Sequence, residues 1–122
     1  MDIEKREIYR AIAEMAYVMA KAEHGISSEE RIAFFNIIKE ELGDDAWIAQ
    51  SHFELLDEVT IPTLDKAYNA AMYELNKYKG KMTAELKQKA VNVIKRVADS
   101  FGGFGENEAF ILDRFKKDIK SL

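Results

Sequence analysis

Apolar residues recur along most of this chain at spacings of three and four, the period of an α-helix with one buried face. Near the N-terminus alanines at neighbouring positions add helix propensity. This pattern predicts a first helix over residues 2–22, which ends at or just before Gly25. The apolar positions of that helix are Ile8, Ile12, Met15, Met19 and Ala22.

A helix-start signal follows at Ser27. Its hydroxyl can accept the backbone N–H of Glu30, and the Glu30 carboxylate can accept the N–H of Ser27, which together form a capping box. The pattern predicts a second helix that ends at Gly43. Its buried stripe is predicted to contain Ile32, Phe35, Ile38 and Leu42.

The middle of the chain is divided by its single proline, Pro62. Before it, Asp44 or Asp45 can cap a shorter helix over residues 46–57. After it, the pattern predicts a strongly amphipathic helix over residues 62–78, with Pro62 in the first turn and Gly80 at the end. The predicted apolar anchors of the shorter helix are Trp47, Ile48, Leu55 and Leu56.

Two further helices are predicted in the last third. Thr83 can cap one over residues 84–100, and Gly105 takes the cap position of another over residues 106–120. The last helix is predicted to bury Ala109, Leu112, Phe115 and Ile119. Because no segment alternates with period two, the expected fold is all-α: a single domain over residues 1–122, a bundle of five to seven helices in two pseudo-repeated helix-turn-helix halves.

Composition narrows the function classes. The net charge of −4 argues against a nucleic-acid partner, because phosphate binding needs a clustered basic surface. The absence of cysteine excludes disulfides, thiolate metal ligands and a cysteine nucleophile. No apolar run approaches the ~20 residues that span a bilayer, and the charged N-terminus does not resemble a signal peptide. A cytoplasmic protein is therefore expected.

The candidate chemistry lies at two acidic turns. We call residues 22–30 the first elbow and residues 98–108 the second elbow. Carboxylate oxygens suit calcium, magnesium or manganese, and a histidine beside them would extend the choice to zinc. The alternative is that carboxylates in a first helical turn only cap N–H groups and offset the helix dipole. The acidic residues and histidine are Glu23, His24, Glu29, Glu30, Asp99, Glu106 and Glu108.

Two other motifs fail on their spacing. Neither elbow places oxygen ligands and a glycine where an EF-hand loop requires them. The glycines at positions 102, 103 and 105 lack the preceding strand and the following Lys-Ser or Lys-Thr of a phosphate-binding loop. His52 has no nearby nucleophile in a recognisable arrangement, and a surface or half-buried position is expected for it.

The first elbow, AEHGISSEE, resembles the signature of the TerB-like domain, approximately A-D-G-x-I/V-S-x-x-E. This helical domain occurs in bacterial tellurite-resistance TerB proteins and beside a J-domain in some membrane-anchored co-chaperones. Glu23 stands at the aspartate position, whereas His24 replaces the glycine. In the second elbow Asp99 and Glu108 match, across a longer loop. The matching positions of the first elbow are Ala22, Ile26, Ser27 and Glu30.

This resemblance implies an all-helical fold with acidic residues at both elbows, which in that family have been regarded as a metal site. Transferred by position to this sequence, the resemblance implies that the metal ligands are Glu23, His24, Glu30, Asp99 and Glu108. We therefore expect a non-enzymatic module in a tellurite, stress or membrane-associated response, with a divalent metal and a protein partner. The alternatives are a pure protein–protein interaction module whose acidic residues only cap helices, and a metal-assisted hydrolase. Oligomeric state is left open.

Overall fold

The computed structural model describes residues 2–22, 25–101 and 105–122. Within these ranges the chain forms six α-helices and no strand, which confirms the predicted all-α class. The helices are α1 (Ile3–Lys21), α2 (Ser28–Leu42), α3 (Ala46–Leu55), α4 (Leu64–Lys77), α5 (Ala84–Ser100) and α6 (Glu106–Lys120).

The first helix, α1, is the centre of the bundle. An unbroken run from Met15 to Ala20 is buried, and a run of that length covers every side of a helix. α1 packs most extensively against α4, α3 and α5, and more lightly against α6. Because α1 buries several alanines, its neighbours can approach it closely.

The helix α2 completes the core by packing on α3 and α5. The Phe34 and Phe53 rings are stacked, with centroids 4.0 Å apart, and Tyr17 of α1 meets Phe53 edge-on at 6.4 Å. All three side chains are almost completely buried. This aromatic cluster joins α1, α2 and α3.

Most helix starts agree with the predicted ones, because a helix cap depends only on residues within one turn of each other. Ser27 and Thr83 cap α2 and α5 as predicted, and Gly105 occupies the cap position of α6. The start of α4 differs: Pro62 precedes the helix, and Thr63 caps it by accepting the N–H of Lys66 at 3.3 Å. Gly80 does not end α4 directly but lies in a 3₁₀ turn, Lys79–Lys81, that follows Tyr78.

The segment around α3 departs most from the prediction. Residues Gly43–Asp45 form a 3₁₀ turn, and neither Asp44 nor Asp45 makes a side-chain cap hydrogen bond. The predicted helix over residues 46–57 ends at Leu55 and continues as one π-helical turn, Leu56–Thr60. It stops at Ile61, whose φ of 42° lies in the left-handed region that β-branched residues rarely occupy.

Four residues predicted to face the core are exposed: Ile32, Trp47, Leu55 and Ala109. In α2 the buried face passes through Phe34 and Ile37, because the consecutive apolar residues there fit two stripes and only packing selects one. In α6, packing likewise buries Glu108 in place of the predicted Ala109. The predicted pseudo-repeat of the two halves is not confirmed.

Candidate functional site

The first elbow is organised by the capping box at the start of α2. The Glu30 N–H donates to Ser27 Oγ at 3.1 Å, and the Ser27 N–H donates to Glu30 Oε1 at 2.9 Å. Both bonds lie at the exposed surface. The predicted capping role of Glu30 is therefore confirmed, and one of its two carboxylate oxygens is already engaged by the backbone.

A group of charges beside this elbow was not predicted. Arg31 Nη2 lies 2.5 Å from Asp57 Oδ2, and Arg31 Nη1 lies 2.7 Å from Glu58 Oε1. Lys21 Nζ at the end of α1 lies 3.3 Å from Asp57 Oδ1. Only 7% of the Asp57 side chain is exposed. Asp57 thus ties together the end of α1, the start of α2 and the π-helical turn after α3.

This cluster alters the electrostatics of its surroundings. The hydrogen bond that Arg31 donates to Asp57 is the main cause that raises the pKa of Arg31. Burial, followed by the negative charge of Asp57, raises the pKa of Tyr17. The only sequence signal for this role is the adjacent Asp57 and Glu58 at a helix end, and it gives no indication of which cations they meet.

The second elbow begins where α5 ends at Ser100. Asp99 and Glu106 are exposed, and Gly105 has no side chain with which to cap α6. Glu108 is different, because only 6% of the residue is exposed. Among the described residues its Oε2 is fully buried and has no hydrogen-bond partner. A buried carboxylate oxygen is costly without a donor or a cation, and the described residues supply neither to Oε2.

Described residues of the two elbows meet at one cavity. Ala22 of the first elbow and Asn107 of the second line one cavity of about 290 Å³. On its wall the Tyr68 hydroxyl donates to Asp118 Oδ2 at 2.5 Å, and the Arg114 guanidinium lies 3.8 Å from the centre of the Tyr68 ring. Burial, followed by the hydrogen bond to Asp118, raises the pKa of Tyr68 far above its usual value.

The predicted metal set is described only in part. Glu23 and His24 lie outside the described residues. In the described part of the chain, no group of three or more histidine, aspartate or glutamate side chains is placed to hold an ion. Within those ranges Glu30 is a capping residue, Asp99 is exposed, and Glu108 is buried. The five-residue metal set remains a prediction.

His52 is half-buried, as expected, and it has a specific partner. Its Nε2 lies 3.0 Å from Glu14 Oε1, which joins α3 to α1. This pair lines a cavity of about 300 Å³ that also contains Glu7, Arg10 and Glu74. Both α1 carboxylates that line this cavity are engaged, Glu7 by Arg10 and Glu14 by His52. The Glu14–His52 pair holds α3 against α1.

Comparison with known proteins does not place the chain in a family. No protein-family model, no curated protein and no solved structure matches it. The similarity to the TerB-like signature therefore rests on the elbow residues quoted above. Across the described ranges, no helix combines the length and apolar character that a membrane crossing requires.

Proposed function

We propose that this protein is a non-enzymatic, TerB-like helical module that binds a divalent cation at its acidic elbows and acts with a protein partner. In the family it resembles, such modules belong to tellurite, stress or membrane-associated responses. The observation that supports cation binding is the buried Glu108 carboxylate, whose Oε2 has no partner within the described residues.

The chemistry of Glu108 fits a hard cation. It lies in the first turn of α6, where the helix dipole offsets part of a negative charge but supplies no donor to Oε2. A divalent ion would compensate the desolvated carboxylate more completely than the dipole can. Calcium, magnesium and manganese accept all-oxygen ligands, whereas zinc would need His24 to take part.

The test is calorimetric titration of metal-stripped protein with each of these four ions, with melting temperature as a second readout. Glu108→Gln removes the charge from the buried carboxylate, and Glu106→Gln, on the exposed first turn of the same helix, is the matched control. We expect saturable heat in the unmodified protein and in Glu106→Gln, and its loss in Glu108→Gln. A cation at about 100 times its Kd should stabilise the fold by about 2.7 kcal/mol.

The melting temperatures of the metal-free proteins provide a second, independent test of the role of Glu108. Glu108→Gln should melt at a higher temperature than the unmodified metal-free protein, because a neutral amide is less costly to bury than a carboxylate. Absence of saturable heat with every ion, together with an unchanged melting temperature at millimolar concentrations, would exclude the cation-binding part of the proposal.

The second candidate is a pure protein–protein interaction module, and the Ser27–Glu30 capping box favours it. The capping bonds give the Glu30 carboxylate a sufficient structural role. Under this alternative Asp99→Asn and Glu108→Gln leave the response to every ion unchanged. Partner binding would instead be lost when exposed apolar side chains such as Trp47 or Val59 are replaced by polar ones.

A further inference from the structure

A groove of about 480 Å³ runs between the first three turns of α5 and the last turn of α6. The apolar part of its lining, which we call the floor, consists of Ala84, Val91 and Ile119, and the polar Gln88 and Asn92 also line the groove. Its rims carry lysines on both sides: Lys87 and Lys95 from α5, and Lys116 and Lys120 from α6. The antiparallel course of the two helices brings these residues together, although they are far apart in the sequence.

The charge of this groove opposes that of the whole protein. The chain carries a net charge of −4, yet no aspartate or glutamate lines the groove. Glu85, next to Ala84 in the sequence, lies 3.2 Å from Lys89, and Glu41, which contacts Asn92 of the lining, lies 3.0 Å from Arg96. The four lysines of the groove have no carboxylate among the lining residues to offset their charge, which favours an external anion.

Three of the four ammonium groups are available to a partner. Lys95, Lys116 and Lys120 are exposed, and none has a carboxylate within 4.0 Å in the described part of the chain. Lys87 is half-buried and donates to the Leu122 carbonyl oxygen at 3.2 Å, which holds the end of α6 against α5. The groove thus has one fixed lysine and three exposed ones.

We propose that this groove binds an acidic amphipathic helix of a partner protein. The α5 wall from Ala84 to Lys95 is about 16 Å long, which matches three turns of a docked helix. An apolar stripe on that helix would lie on Val91 and Ile119, and acidic residues beside the stripe would reach the lysines on each rim. This assignment specifies the protein-binding part of the proposed function and does not depend on cation binding.

The shape and charge of the surface favour a peptide helix over an extended polyanion. A duplex or an anionic bilayer places negative charge across a wide area, where the net charge of −4 opposes approach. A short helix senses mainly the lysines within about one Debye length, ~10 Å at 0.1 M salt. The apolar floor also gives no advantage to a phosphate backbone, whereas it stabilises a docked leucine stripe.

The test uses a fluorescein-labelled peptide of about 18 residues, with leucines at helical spacing and glutamates on both flanks. Two peptides control for its features: a scrambled version of the same composition, and a version with lysine in place of glutamate. Fluorescence anisotropy is measured at about 50 mM and about 300 mM NaCl, with the metal-free protein and again with calcium. We expect saturable binding of the acidic amphipathic peptide alone, weakened at the higher salt.

Protein variants locate the site. Lys95→Glu with Lys116→Glu should raise the Kd at least about tenfold, because attraction becomes repulsion on both rims. The matched control is Lys66→Glu with Lys79→Glu, which makes the same charge change at exposed lysines outside the groove and should alter the Kd less than about twofold. Circular dichroism melting checks that both variants fold, and amide chemical shifts should move along α5 and α6.

Several results would overturn the docking proposal. These are equal affinity for the scrambled peptide, equal weakening in the two double variants, or shifts confined to other helices. No binding of any of the peptides, or lysine-dependent binding only of duplex DNA or of vesicles containing phosphatidylserine, would also reject it. A failure here leaves the calorimetric result for cations unchanged, and loss of cation binding leaves the peptide result unchanged.

Discussion

Arg31 and Asp57 are separated by 26 positions in the sequence, yet their side chains meet at 2.5 Å. The same arginine bonds to Glu58, so one guanidinium contacts two adjacent carboxylates that differ in exposure. Asp57 is 7% exposed at its side chain and Glu58 is 52% exposed. This difference allows a direct comparison of a buried and an exposed ion pair with the same cation.

Asp57→Ala should lower the free energy of unfolding by about 2–3 kcal/mol, because it leaves Arg31 and Lys21 without their shared buried anion. Glu58→Ala should lower it by less than about 1 kcal/mol, because water can replace an exposed partner. Urea denaturation of the two variants measures both values. Equal losses would contradict the role assigned to burial.

Tyr68→Phe removes the hydrogen bond to Asp118 and should cost about 1–2 kcal/mol at neutral pH. The exposed Tyr73→Phe, on the same helix, should change stability by less than about 0.5 kcal/mol and serves as its control. Guanidinium denaturation at pH 7 measures the two differences. A loss in Tyr73→Phe as large as that in Tyr68→Phe would exclude a specific role for the buried hydroxyl.

The raised pKa of Tyr68 predicts that the folded protein loses stability at alkaline pH. Burial and the Asp118 bond raise the pKa of Tyr68 in the folded state, so the unfolded chain loses this proton first as pH rises past about 10. Stability is therefore fully present below that pH and falls above it. Between pH 9 and pH 11 the unmodified protein should lose more stability than Tyr68→Phe. Parallel curves would contradict this assignment.

Gly43 and Gly80 form a matched pair of glycines that differ in backbone conformation. Gly43 has a φ of 83° and Gly80 does not lie in the left-handed region, while an added Cβ would meet no atom within 4 Å at either position. Gly43→Ala should therefore destabilise the protein by about 1–3 kcal/mol through strain alone. Gly80→Ala should be neutral or stabilise by up to about 1 kcal/mol. Thermal melting distinguishes the two outcomes.

Ile61 offers a stabilising substitution. A β-branched residue at φ 42° is strained. Because Ile61 is 60% exposed, burial of its side chain contributes little to stability. Ile61→Asn should raise stability by about 0.5–1 kcal/mol, because asparagine tolerates the left-handed region. Val59→Asn makes a similar surface change without that φ and should stay within about 0.5 kcal/mol of neutral. A destabilised Ile61→Asn would show that the apolar side chain has a packing role.

The sequence by itself determined the all-α class, the starts of all six described helices to within two residues, and the Ser27–Glu30 capping box. These features depend on residues three or four positions apart, and such contacts form within one helical turn. The central position of α1 was not predicted, because an alanine-rich stripe does not reveal how many neighbours will pack around it.

Only the tertiary structure decided which face of each helix is buried and which charges meet. The apolar pattern of α6 allowed Ala109 in the core, but packing buried Glu108 and exposed Ala109. The Arg31–Asp57 pair and the lysine groove likewise depend on helices distant in sequence. Periodicity fixes a helix and an approximate stripe, whereas rotation about the helix axis is set by the fit of side chains across the whole core.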